Sequence, residues 1–425
     1  MAIRLTATGL LLLVLAALVA GCGSAPLEFS FEADRGCVAG LRLWEDGPRG
    51  PRVVAEVNDP ALVAFFVRQL GAAKPAAPPD PPPKRHYLSF RIGAGKAAGE
   101  TRRYPYLCNA WDPEGPGYVE LDGRWVELSP AFNGLLFSLA DYRRPSGAVD
   151  KADAAFLKRY GWTPLFRINS GAVKLPDRFV HRAGEFPVVL YWAYNNELNR
   201  DIGLDLAPYL GREAEVALYK VVEPLPAFMD PRRWTGRAVV VKVGGRVVGA
   251  WLDAGRHYGF ACSLKGRRLE EITGRTFAQW VAGVIDYDDA TERRLAALGP
   301  EEVIRTYYAA INRRDYRLAR ACETRESLTG YLFANMDNNW LYNTSYESGS
   351  LDGMENIRRA KVLTIKELKE PLEPVAPETR RYAVEVDLRF RKAVTMESGR
   401  HVLFFNLKRE TEQTGWRLAY IGTGP

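Results

Sequence analysis

Apolar positions recur with two different periods in the first third of the chain, and the change of period predicts its helices and strands. After Asp59-Pro60, apolar residues three or four positions apart predict a helix that ends near Leu70. Strict alternation then predicts a strand over 86–92 and a hairpin over 118–128, with Asp122-Gly123 as its two-residue turn. Ser129-Pro130 predicts the start of a second short helix.

The middle of the chain repeats the same order of helices followed by strands. Asp150 predicts the start of a helix that runs to Tyr160, and a second helix is predicted over 187–200. Gly244-Gly245 separates two apolar arms as a tight hairpin turn. The strands predicted here are 216–221, 238–243 and 246–252.

The last third opens with a well-marked helix start at Pro300, followed by Glu301 and Glu302 in the first turn. Residues 312–315 interrupt this helix, and a second short helix is predicted over 316–322. Its predicted apolar face comprises Val303, Ile304, Tyr307, Tyr308 and Ile311. The alternating strands that follow are 382–390, 402–407 and 416–421.

These patterns predict a multidomain α+β protein, with a small N-terminal α+β domain, a middle α+β domain with an antiparallel hairpin, and a C-terminal domain of helices on a sheet. The charged stretch 286–294 is predicted to belong to a linker. The domain bounds that follow are 28–145, 150–274 and 298–425, with a helical linker at 275–297.

The N-terminal residues have the pattern of an export signal. Arg4 is the only charge before the apolar run 10–20, which is too short to span the roughly 30 Å hydrocarbon core of a bilayer. Val19-Ala20-Gly21-Cys22 then resembles the lipobox of bacterial lipoproteins. The resemblance implies removal of residues 1–21, diacylation of Cys22 and a tether over 22–27. We therefore expect an exported protein, anchored by its lipid to the outer face of the cytoplasmic membrane; the alternative is an ordinary secretory peptide with an incidental cysteine.

Motifs in the middle segment resemble a small family of uncharacterised domains in lipoproteins and membrane proteins of Gram-positive bacteria, mainly Firmicutes. The family has no known activity, so the resemblance implies a location but no mechanism. The motifs are Phe156-Leu157, Tyr160-Gly161-Trp162, Leu175-Pro176 with Phe179, Tyr194-Asn195, Gly203-Leu204-Asp205-Leu206 and Val247-Val248-Gly249-Ala250.

The helix start at residues 300–316 is similar to that of nuclear transport factor 2-like domains. The resemblance implies a cone in which a curved sheet surrounds the N-terminal helices and leaves one end open. This fold is found in isomerases, dehydratases and binding modules, so it does not by itself indicate a function. The residues expected to line the pocket are Tyr307, Tyr308, Tyr331 and Trp340.

Charge and composition narrow the choice of partners. The chain has a net charge of +7 and 51 acidic residues, but no dense run of Lys or Arg. We expect a solvated surface of mixed charge, while binding to anionic lipid headgroups or wall polymers is the alternative. Nucleic acid is not expected as a partner.

Cysteines and histidines indicate no metal site, because the sequence has no CxxC and its four histidines are scattered. No cofactor motif is present either. Cys37 and Cys108 both fall in the first domain, so we expect them to be the pair that forms a disulfide if one forms. For Cys262 and Cys322, we consider free buried thiols as the alternative to oxidation.

No acid–base pair emerges for catalysis. Asp337 and His401 are the ionisable candidates in the C-terminal domain, but Asp337 lies in a run typical of a solvated turn and His401 at an exposed strand start. We therefore expect a non-enzymatic module that binds an envelope protein or a small apolar ligand. The alternative is an enzyme that uses the C-terminal pocket for proton transfer or dehydration of a hydrophobic small molecule.

Overall fold

The computed structural model divides the chain into two compact units, Met1–Arg143 and Arg144–Pro425. Both units combine helices with antiparallel sheets, so the α+β class is confirmed. No helix in the described part of the chain is long and apolar enough to cross a membrane. The structure describes residue 31 and residues 35–80, 85–93, 99–108, 115–140, 147–229, 233–255, 260–335, 353–369, 378–393 and 396–424.

In its described residues, the first unit combines one antiparallel sheet with two helices, α1 (Pro60–Gly71) and α2 (Pro130–Ala140). Asp59 Oδ1 accepts hydrogen bonds from the first-turn amides of α1, which confirms the predicted helix start. The sheet order is β2-β1-β4-β6-β7-β8-β3, and β5 pairs with β4. The strands are β1 (Val38–Gly47), β2 (Gly50–Val57), β3 (Lys74–Pro75), β4 (Arg85–Ile92), β5 (Gly99–Glu100), β6 (Tyr104–Leu107), β7 (Gly117–Leu121) and β8 (Arg124–Leu128).

The predicted hairpin is formed by β7 and β8, with Asp122 and Gly123 at positive φ of 49° and 74°. A two-residue turn with both φ values positive matches the right-handed twist of the strands, which explains the Asp-Gly pair. The two helices meet through Phe66 and Phe132, whose ring centroids are 5.0 Å apart in an edge-to-face arrangement.

The disulfide expected between Cys37 and Cys108 is absent, and both residues are free thiols. Cys37 precedes β1, whose Val38 pairs with one end of β4, whereas Cys108 follows β6, whose Leu107 pairs with the opposite end. Along β4 these ends, Ile92 and Arg85, are separated by roughly 24 Å at about 3.4 Å per residue. A disulfide requires Cα atoms within about 7 Å, so the register of the sheet prevents the bond. Cys108 instead contacts the ring of His86 at 3.6 Å.

The N-terminal half of the second unit contains α3 (Lys151–Lys158), α4 (Val188–Arg200) and a sheet of order β12-β11-β10-β9. Three of its strands were predicted, and Gly244-Gly245 forms the predicted turn between the last two of them. The sequence patterns did not predict β9, because only Ile168 of this edge strand is fully buried. The strands are β9 (Pro164–Lys174), β10 (Glu213–Val221), β11 (Arg237–Val243) and β12 (Arg246–Asp253).

The C-terminal half packs helices on the antiparallel sheet β13-β14-β15-β16. The predicted apolar face of its long helix is confirmed, because all five of its residues are buried in one core. In β14, the alternation of buried and less buried residues also follows the prediction. The strands are β13 (Ile357–Glu367), β14 (Thr379–Phe390), β15 (Gly399–Arg409) and β16 (Trp416–Gly422).

Two segments have features that the sequence patterns did not predict. Within the predicted helical linker, Asp289 caps a helix over Ala290–Ala296, in which Glu292 and Leu295 are buried. A further helix, Arg325–Asn335, was not predicted, because Gly330 and polar residues interrupt its apolar pattern. The remaining helices are α5 (Leu269–Thr273), α6 (Phe277–Val281), α7 (Ala290–Ala296), α8 (Pro300–Arg313), α9 (Tyr316–Ala321) and α10 (Arg325–Asn335).

Candidate functional site

Helix α10 lies where the two halves of the second unit meet. Thr324 begins it, since its hydroxyl accepts a hydrogen bond from the amide of Ser327 at 3.1 Å. The amide of Thr324 itself donates to Leu418 O in β16 at 2.8 Å. The start of the helix is therefore fixed to the C-terminal sheet.

The first residue of α10, Arg325, is the centre of a buried ion cluster. Its guanidinium contacts Glu292 Oε2 through Nη2 and Glu410 Oε2 through Nη1, both at 2.6 Å. Arg417 Nη2 contacts the other oxygen of Glu292, also at 2.6 Å. All four side chains are at most 3% exposed. The two arginines balance the two carboxylates, which is the condition under which buried charges are tolerated.

His181 extends this ion cluster into the N-terminal half of the unit. Arg325 Nε donates to His181 Nδ1 at 3.2 Å, so the imidazole carries its proton on Nε2, which donates to Glu185 O at 3.0 Å. Burial, and then the neighbouring Arg325 charge, lower the pKa of His181 to about 3. The histidine is therefore neutral at physiological pH and adds no third positive charge to the cluster.

Aromatic residues hold the other end of α10. The ring of Phe333 lies 5.0 Å from Tyr191 and 5.7 Å from Tyr194, both in α4, and 5.6 Å from Phe260. Edge-to-face and tilted ring pairs at these distances contribute beyond their buried area. The helix is thus fixed by charges at its first turn and by aromatic packing at its last.

A cavity of about 350 Å³ lies between these two contacts. Helix α10 supplies one wall, β16 and α8 supply others, and Phe186-Pro187, immediately before α4, completes the lining. The lining residues are Phe186, Pro187, Tyr307, Arg320, Glu323, Ser327, Leu328, Tyr331, Leu332, Leu418, Tyr420 and Ile421. The cavity is mostly apolar, with tyrosine rings and one residue of each charge.

Close backbone contact holds the two sides of the cavity together. Gly184 has a φ of +70°, and a Cβ on it would lie 1.9 Å from Arg317 O in α9, so only glycine fits. Next to it, Arg320 Nε donates to Gly184 O at 3.3 Å, and the Arg320 guanidinium lies 5.8 Å from the ring of Phe186. The position of Arg320 in the lining is therefore set by the N-terminal half of the unit.

Of the residues predicted to line a pocket, some line the cavity in the structure and others do not. Tyr307 and Tyr331 line the cavity. Tyr308 is instead a core residue whose ring lies 6.0 Å from that of Phe405, and burial raises the pKa of its phenol. His401 is not among the lining residues, and its Nε2 lies 2.8 Å from Glu397 O. Trp340, Asp337 and the predicted lipidation residue Cys22 lie outside the described residues.

Sequence patterns missed the ion cluster because its members are far apart in the chain and none belongs to a motif. Only Glu292 gives a local signal, since it lies one helical turn before Leu295 on the buried face of α7. As for metals, no group of three potential ligands among His, Cys, Asp and Glu occurs within the described ranges.

The low pKa of His181 predicts how the stability of the second unit depends on pH. The pKa of histidine is about 6.5 in an unfolded chain, so as pH falls below that value the unfolded state takes up a proton that folded His181 does not bind. The free energy of unfolding of the second unit should therefore fall between pH 6.5 and about 3. The contribution of His181 is up to about 5 kcal/mol at about 1.4 kcal/mol per pKa unit.

Denaturant unfolding at several pH values measures this effect. His181→Gln keeps a hydrogen-bond donor and an acceptor but does not titrate, so it should flatten the slope over this range. His401→Gln is the matched control and should keep the wild-type slope. Equal slopes for wild type and His181→Gln would contradict the assignment.

Comparison with known families finds two matches, both to families without an assigned activity. Residues 156–252 match a family described as "Domain of unknown function (DUF4830)", and residues 301–422 match one described as "Domain of unknown function (DUF4829)". No curated protein matches the chain. The second unit thus contains two domains of unknown function in tandem, and the cavity has lining residues from both.

Proposed function

We propose that the protein is a lipid-anchored envelope protein that binds a small, mainly apolar ligand in the cavity of its second unit without chemically changing it. The observation that supports this most directly is the cavity itself, lined by residues of both matched domains. Its volume of about 350 Å³ falls at the lower end of the range of about 300–1,000 Å³ for small-molecule sites.

The lining indicates the class of ligand. Aliphatic and aromatic side chains dominate it, while tyrosine hydroxyls, Ser327, Arg320 and Glu323 supply a few polar groups. Such a lining suits a molecule with one apolar body, such as an aromatic ring or a short acyl chain, and a polar group at one end. Because α10 is fixed at both ends, we infer that the cavity is already formed before the ligand binds.

The location and the fold of the C-terminal domain are part of the same proposal. The lipobox-like Val19-Ala20-Gly21-Cys22 supports export and attachment by an N-terminal lipid. Packing of α8 and α9 on the antiparallel sheet β13–β16 supports a nuclear transport factor 2-like cone for residues 298–425.

An enzymatic alternative has one observation in its favour, which is that the carboxylate residue Glu323 lines the cavity. A carboxylate in an apolar cavity is the group that proton-transfer enzymes use. Turnover of a bound ligand that Glu323→Gln abolishes without weakening binding would favour the enzyme over the binding module.

Lipid attachment is tested by growing cells that produce the chain with a labelled fatty acid. The wild-type protein should incorporate the label, and Cys22→Ser should incorporate none, because its hydroxyl cannot accept the thioether-linked lipid. Cys37→Ser is the matched control, since Cys37 is an exposed cysteine of the first unit, and it should label like wild type. Labelling of Cys22→Ser at the wild-type level would contradict lipidation at this residue.

Ligand binding is tested with the apolar fluorescent probe N-phenyl-1-naphthylamine. Leu328→Trp places a bulky ring in the cavity and should weaken probe binding at least about tenfold, a loss of about 1.4 kcal/mol. Val53→Trp makes the same kind of change at an exposed position of β2 and should leave the affinity unchanged. Equal affinities for both variants, with equal unfolding midpoints, would refute the cavity as the binding site.

A further inference from the structure

One face of the C-terminal sheet packs against α8 and forms a hydrophobic core. None of the described residues on the opposite face belongs to that core. This core includes Tyr382, Val384, Val386 and Leu388 of β14. The residues between them in the strand therefore lie on the opposite face of the sheet. We call that opposite face of β13–β15 the outer face. It is defined by Arg359, Lys361, Thr364 and Lys366 of β13, Arg381, Ala383, Glu385, Asp387 and Arg389 of β14, and Arg400, Val402, Phe404, Asn406 and Lys408 of β15.

The register of the sheet brings basic residues on separate strands side by side. Arg359 lies opposite Arg389, and Lys361 and Arg400 lie on either side of Asp387. Residues directly opposite each other on one face have Cβ atoms about 5 Å apart, so these charges are neighbours. The outer face holds seven cationic side chains against two carboxylates, Glu385 and Asp387.

Most of these cations form no ion pair in the described part of the chain. Arg389 pairs with Asp387 at 3.4 Å, and Lys408 pairs with Glu326 of α10. Within the described part of the chain, the other five form no ion pair within 4 Å: Arg359, Lys361, Lys366, Arg381 and Arg400. Unpaired cations so close together repel one another, and this repulsion is relieved when an anionic surface lies opposite.

Apolar side chains lie among these charges. Val402 is 52% exposed in the middle of the outer face, and Phe404 beside it is half-buried. A polyanion in solution would bind the cations but would leave the apolar side chains exposed to water. An anionic lipid surface can bind the cations through its headgroups and bury the apolar side chains at the boundary with the acyl chains. A second copy of this face would bring like charges together and is disfavoured.

We propose that the outer face of β13–β15 docks onto an anionic phospholipid surface. Basic side chains meet the phosphate headgroups, while Val402 and Phe404 reach the boundary between headgroups and acyl chains. This interaction does not depend on the lipid proposed at Cys22 or on a ligand in the cavity. Near an anionic leaflet, each basic residue strengthens binding by about fivefold, so several together give measurable attachment without a lipid anchor.

Vesicle co-sedimentation tests the proposal on the chain that begins at residue 22 and has Cys22→Ser, so that neither the apolar leader nor a lipid contributes. The probe is vesicles of phosphatidylglycerol and phosphatidylcholine in equal parts, compared with phosphatidylcholine alone. The test variant is Lys361→Glu with Arg400→Glu. The matched control is Lys151→Glu with Lys158→Glu, which makes the same charge change at two exposed positions of α3.

We expect binding to the anionic vesicles only, and its loss at high salt. The Lys361/Arg400 variant should bind at least about tenfold more weakly, while the control should lose no more than about twofold. Val402→Ser should also weaken binding at unchanged charge. All variants should keep the wild-type unfolding midpoint. Equal losses for the two double variants, or equal binding to both kinds of vesicle, would overturn the proposal.

Discussion

The buried contact of Arg325 with Glu292 and Glu410 is the interaction on which the second unit depends. A charge removed from water costs several kcal/mol unless partners surround it, and breaking one buried pair costs about 3–5 kcal/mol. Arg325 therefore has to lie where both carboxylates and His181 Nδ1 can be reached together. Such a cluster need not stabilise the fold more than an apolar core would, but it permits few alternative arrangements of the elements that contribute to it.

The cavity follows from this constraint. Ion pairs fix the first turn of α10, and Phe333 fixes its last turn among the aromatic residues of α4. Between these points, the helix contributes Ser327, Leu328 and Tyr331 to the lining of the cavity. Neither matched domain forms this space alone, since Phe186 and Pro187 come from the first and the other lining residues from the second. The junction of the two domains, rather than the interior of either, is the candidate site.

Local features of the fold were predictable because they depend on residues close together in sequence. Asp59 caps its helix, Asp122-Gly123 turns its hairpin, and β14 alternates as expected. Features that depend on distant residues were not predictable. Tyr307 and Tyr308 are adjacent and both belong to the core, yet only Tyr307 also lines the cavity. Likewise, no dense basic run appears in the sequence, because alternation and strand pairing spread the cations of the outer face over three strands.

We infer that the ion cluster joins both matched domains into one folding unit. Native-state hydrogen exchange of the amides in α4 and α8 tests it most directly, because each helix belongs to a different domain. We expect equal opening free energies for the two helices, and an equal decrease in both when Arg325→Met removes the central charge. Opening of α4 at a free energy more than about 2 kcal/mol away from that of α8, or a decrease confined to one helix, would contradict it.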